Sequence, residues 1–129
     1  MICKYEYIDN ILFQIFPETL SDNDFRLIHD ELEVIEKNYP VLPHFIVNIQ
    51  KVKTFNGDYF SIQKFAGQRE EKIFPNRILE AIVVSNDFQM GFARMYQTVN
   101  CNPQLTIKIF NDESKAIEWI KAKGGPIAP

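Results

Sequence analysis

The chain has 129 residues, 46% of them hydrophobic and 24% charged, with a formal net charge of -3. That length buries an ordinary single core, and that composition excludes an extended disordered chain. The acidic balance, with basic residues scattered among acids (Arg69 is followed by Glu70 and Glu71), argues against nucleic acid as a partner, which needs a cationic field.

In chain order, two short runs come first, Lys4–Ile8 and Ile11–Phe16, with Asp9-Asn10 between them. Asx residues adopt turn conformations cheaply, so the pattern predicts a β-hairpin. Leu12, Phe13, Ile15 and Phe16 suit a second strand buried on both faces. After Pro17, the run Ser21-Asp22-Asn23-Asp24 predicts a capped helix with an acidic first turn. Its apolar stripe is Phe25, Ile28, Leu32, Ile35 and Tyr39, and its solvated face carries Asp30, Glu31, Glu33, Glu36 and Lys37.

Pro40 and Pro43 end that helix, and residues 44–49 read as a central strand. Residues 51–58 read as a loop whose Asn56-Gly57-Asp58 turn caps a second helix, from about Tyr59 to Lys72. The buried side of this helix is Phe60, Ile62, Phe65 and Ala66. Residues 78–84 form a strand dense in β-branched side chains. Asn86-Asp87 caps a third helix reaching about Asn100, with Phe88, Phe92, Met95 and Val99 on one face. After Pro103, residues 105–110 give another strand, and Asn111-Asp112 caps a last helix carrying Ala116, Ile117, Trp119 and Ile120. The chain reads as one domain with an ordered core of about 3–122 and a mobile tail over 123–129.

The order β-β-α-β-α-β-α-β-α predicts an α/β fold: a mixed, mostly parallel sheet of about five strands with an N-terminal hairpin and about four helices. That order resembles the STAS fold of sulfate transporters and anti-sigma-factor antagonists. Ala81-Ile82-Val83-Val84-Ser85, Gly91 to Thr98, Asn102-Pro103, Ile107 to Phe110 and Ala116 to Ile120 together resemble uncharacterised bacterial proteins described as SpoIIAA-like or STAS/SEC14-like. The resemblance covers roughly residues 78–121. It implies the fold and a regulatory or ligand-binding habit, with no activity. STAS antagonists carry an Asp-Ser pair after the central strand, whose serine is phosphorylated. The corresponding stretch here, 52–58, has Gly57 and Asp58 at the turn and no serine. Asp58 is then either a plain helix cap or a fixed negative mark facing a partner.

No constellation specifies a chemistry. His29 and His44 are the only histidines and neither has a second nitrogen or sulfur ligand at a useful offset, so no metal or other cofactor is expected. Cys3 and Cys101 lack CxxC spacing, and Cys101 follows a helix C-terminus that disfavours a thiolate. There is no nucleophile elbow or phosphate loop. The first segment lacks the apolar run of a signal peptide and no stretch is long enough to span a membrane, which points to the cytoplasm.

The cluster best suited to a partner or ligand lies on the third helix. Met90, Arg94, Gln97 and Asn100 follow at steps of four, three and three, with Asn102 just beyond. Arg94 suits a carboxylate or phosphate and the amides supply geometry. The binding candidates are therefore Arg94, Gln97, Asn100, Asn102 and Asp58. The first expectation is a non-catalytic regulatory module that binds a protein partner or itself. The alternative is a binder of a small apolar or anionic ligand of lipid-like kind, and an enzyme of unknown class stands third.

Overall fold

The computed structural model of the protein describes residues 1–124. The hairpin comprises β1 (Lys4–Ile8) and β2 (Ile11–Ile15), turning through Asp9 and Asn10, both at positive φ. Two consecutive left-handed residues make a type I′ turn, whose twist matches that of the strands it joins. Next come β3 (Thr19–Ser21) and α1 (Asp22–Glu36), then β4 (His44–Asn48), β5 (Thr54–Asn56) and α2 (Tyr59–Glu70). The second half is β6 (Ile78–Val83), α3 (Asp87–Val99), β7 (Leu105–Phe110) and α4 (Glu113–Gly124).

The main sheet runs β1-β2-β4-β6-β7, with β1 antiparallel to β2 and the remaining pairs parallel. It is the expected α/β architecture, a five-stranded mixed sheet with four helices. From β2 onward each crossover steps one strand further in the same direction. Right-handed crossovers that never reverse place their helices on one face. Accordingly α1, α2 and α3 bury Phe25, Ile28, Leu32, Ile62, Phe65 and Phe92 against one side of the sheet. On the other side α4 lays Ala116 and Ile120 over Ile46, Ala81 and Val83. Strands sandwiched this way need apolar residues at successive positions, and β4 and β6 carry them.

Four details depart from the sequence expectation. The stretch read as a loop contains β5, which pairs in parallel with β3 as a separate two-stranded sheet. The first helix stops at Glu36, and Tyr39, expected on its stripe, packs on the core from the turn that follows. Phe60 and Phe88, assigned to buried faces, are 67% and 40% exposed in the first turns of α2 and α3. Finally, α4 continues through Gly124; the rest of the tail expected to be mobile, 125–129, lies outside the described residues.

His44 ties the start of β4 to β6. Its Nδ1 accepts the Leu79 N–H at 2.9 Å, so this nitrogen must be unprotonated, and Gly124 packs so near the ring that a Cβ there would meet Nε2 at 2.7 Å. Burial pushes the His44 pKa down. The folded ring thus refuses a proton that the unfolded ring accepts near pH 6.5. Stability from His44 is present in full above that pH and lost as pH falls toward the folded-state value. Urea midpoints measured between pH 7.5 and 5 should fall for the native chain and fall less for His44→Gln; equal slopes contradict the assignment.

Candidate functional site

The five sequence candidates do not converge. Arg94 and Gln97 share the exposed face of α3, where the Gln97 amide donates to the Ile107 carbonyl on the open edge of β7. Asn100 and Asn102 are 5% and 4% exposed. The Asn100 amide donates to the Tyr96 hydroxyl, while that of Asn102 donates to the Arg69 and Lys72 carbonyls and so closes the C-terminus of α2. Asp58 is the N-cap of α2, accepting the Phe60 N–H at 2.8 Å. Its own N–H donates to the Asp22 carboxylate, fastening the starts of α1 and α2 together.

What the structure does assemble is a buried polar group that periodicity had hidden. Glu36 at the end of α1 receives both terminal nitrogens of Arg69 from α2, at 2.9 and 2.8 Å. Arg69 is 1% exposed and also stacks over Phe74, 5.2 Å from the ring centre. Burial alone would drive its proton off, but the hydrogen bonds and charge of Glu36 outweigh burial and hold the guanidinium ionised. Nearby, Glu80 projects from the middle of β6 into the same layer, and the Tyr96 hydroxyl bonds its carboxyl at 3.0 and 3.2 Å. Burial raises the Glu80 pKa, offset only in part by the Arg69 charge and the Tyr96 bond, and burial likewise raises Tyr96. Each of these residues stands at a core-periodic position: Glu36 four after Leu32, Arg69 four after Phe65, Glu80 inside an apolar run. A charge at such a position is a readable signal. The expectation placed Glu36 on the solvated face, and the packing of α2 against α1 overturns it.

Above this group lies a cavity of about 60 Å³. Gln14, Arg69, Glu80 and Tyr96 contribute its polar wall, and the remainder is apolar, including Leu32, Ile82 and Phe92. The Phe92 ring also contacts Phe55, Tyr59 and Phe88 at centroid distances of 5.3, 5.8 and 4.8 Å. These rings form an aromatic end where the helices begin. Tyr59 is 53% exposed and Phe60 projects beside it. A groove of about 530 Å³ adjoins, bounded by Asp22, Arg26, Asp58, Phe60 and Lys64. The loop behind is fixed by Gln89, whose buried amide donates to the Gln50 and Val52 carbonyls and accepts the Ser85 N–H.

Several chemistries lack a foundation. The strand order never reverses from β2 to β7, so the sheet has no switch point of the kind where open α/β folds hold ligands. Among the described residues no group of three or more His, Cys, Asp or Glu is placed to hold a metal ion, and no helix is long and apolar enough to cross a membrane. Both cysteines are free; burial and the Glu31 charge push the Cys3 thiol up to about 12, which leaves it unreactive. Comparison of the chain with protein-family models, curated proteins and solved structures gave no match.

The buried pair supplies a direct test. Removing one partner leaves an uncompensated charge, so Glu36→Gln or Arg69→Met should each cost about 3–5 kcal/mol in chemical denaturation. Replacing both together should cost much less than the sum; additive losses contradict a coupled pair.

Proposed function

We propose that this protein is a non-catalytic regulatory module of the cytoplasm, working through protein–protein contact at its aromatic end. The observation that carries this reading is the cluster of exposed rings on a rigid base. Tyr59 and Phe88 both pack on Phe92 and reach the surface from there, and Phe60, next to Tyr59 in the chain, stands 67% exposed on the adjoining groove. Aromatic side chains bury large area with little rotamer entropy and dominate protein interfaces. Folding gains nothing from leaving them in water. The STAS resemblance supports the same reading through the regulatory habit it implies, and Asp58 lies at the start of α2 directly beside these rings.

The partner to which this surface is best matched is a second copy of the chain. The groove carries acids at one end, Asp22 and Asp58, and bases along it, Arg26 and Lys64. Under a two-fold axis, one copy's bases face the other's acids around a shared aromatic centre. Arg94 and Gln97 form a second, polar contact region on the outer face of α3, suited to a carboxylate on the partner.

Sedimentation velocity over a concentration series is the measurement. The native chain should show concentration-dependent dimerisation, and Phe60→Ser combined with Phe88→Ser should abolish it. The melting temperature should fall only slightly, since Phe60 is 67% exposed and Phe88, 40% exposed, gives up one ring contact with Phe92. A native chain that stays monomeric at every concentration and retains no protein in pull-down contradicts the proposal.

A further inference from the structure

A carboxyl group in the middle of a central strand is costly unless something uses it, and Glu80 is 4% exposed between Leu79 and Ala81. An apolar residue there would pack against Ile62, Phe65 and Ile82 without penalty. Instead four polar side chains arrive from four elements at one void: Gln14 from β2, Arg69 from α2, Glu80 from β6 and Tyr96 from α3. Their mutual bonds do not consume them. The Arg69 Nε has no hydrogen-bond partner among the described residues, although both terminal nitrogens are taken by Glu36. Both Glu80 oxygens share the single Tyr96 hydroxyl. Much of one carboxyl group and one hydrogen of the Gln14 amide therefore remain unused on residues that line an otherwise apolar space.

We infer that this cavity is a binding site for a small neutral molecule with an apolar body and one acceptor oxygen, a short-chain ketone or alcohol in class. The size follows from the volume. A dry cavity of about 150 Å³ holds benzene and about 10–15 Å³ holds one water, so 60 Å³ suits about two to four heavy atoms. The polarity follows from the donors: an oxygen at the polar wall accepts from the Gln14 amide, which gives one of its two hydrogens to Tyr5, and from Glu80 when that carboxyl carries its proton. The neutrality follows from charge. Arg69 is already balanced by Glu36, so an anion would enter the interior without a counter-charge. A second positive side chain is not among the cavity's walls. A few polar groups converging on an apolar pocket is the composition of a small-molecule site, here on a scale well below the several hundred Å³ usual for drug-sized ligands.

The test uses three molecules of nearly one shape: acetone, acetate and isobutene. Methyl and amide signals of the full chain are followed by NMR during titration with each. Acetone should shift Ile62, Ile82 and Ala93 saturably with a dissociation constant of about millimolar order, as expected for so few atoms. Acetate should give no saturable shift, and isobutene should bind at least about fivefold more weakly, for want of the oxygen. Ala93→Leu fills the space from α3 and should remove the acetone response; should that variant fail to fold, the milder Val47→Ile must weaken it. Isobutene binding as well as acetone means a plain packing void. Acetate binding as well as acetone overturns the neutral assignment. No saturable shift with any of the three overturns the site itself.

Discussion

The helical layer is organised by one interaction, the bidentate pair between Glu36 and Arg69. It joins the last turns of α1 and α2 where both are hidden from water, and its influence spreads through the backbone on either side. Asn102 reaches the Arg69 carbonyl and stops α2, and Asn100 then receives the following Asn102 N–H on its side chain and passes its own amide to Tyr96. Phe74 lies under the guanidinium and is itself held by the Gln104 side chain through both backbone groups. A pair of this kind contributes little net stability over a well-packed apolar alternative. Its contribution is placement, since two planar groups joined by two parallel bonds accept one mutual orientation.

That placement makes the two ends of the sheet unlike. Where the parallel strands begin, side-chain amides replace missing backbone partners: Asn76 binds Leu42 through both N–H and carbonyl, and Gln104 does the same for Phe74. This end is sealed. Where the strands finish, Gln89 secures one loop, and beyond it the surface is built from rings rather than hydrogen bonds. A firm base beneath an apolar rim is the arrangement in which exposed side chains are held ready for contact without needing order supplied by the partner.

Much of the architecture was legible because strands and helices here obey their periods. The turn at Asp9-Asn10, the caps at Asp58 and Asn86, and the continuous apolar runs of β4 and β6 are local signals, and local signals survive folding. The two short strands β3 and β5 were not legible. Three residues give no measurable alternation, and they are defined by pairing across thirty-five positions, as between Thr19 and Thr54. The buried polar group was hidden for a different reason. Glu36 and Arg69 stand at core-periodic positions, but their charge reads as solvated until α1 and α2 are brought together, and Asn100 and Asn102 look like surface amides until the C-terminus of α2 is known to need them. Phe88 failed in the opposite sense: its spacing from Phe92 is correct for a buried stripe, yet in the first turn of α3 it is left 40% exposed. A periodic pattern states which side of a helix faces inward and is silent on where the interior stops.

The cover that α4 gives the second face of the sheet has a bearing on how the chain is made. Ile46, Ala81 and Val83 sit beneath Ala116 and Ile120, which belong to the final helix. During synthesis the three-helix side can close once β7, which supplies Leu105 to it, has emerged, whereas the opposite side stays bare until α4 follows. For that interval a nascent polypeptide displays a flat row of aliphatic groups on paired strands, the kind of surface that chaperones hold and that neighbouring chains adhere to.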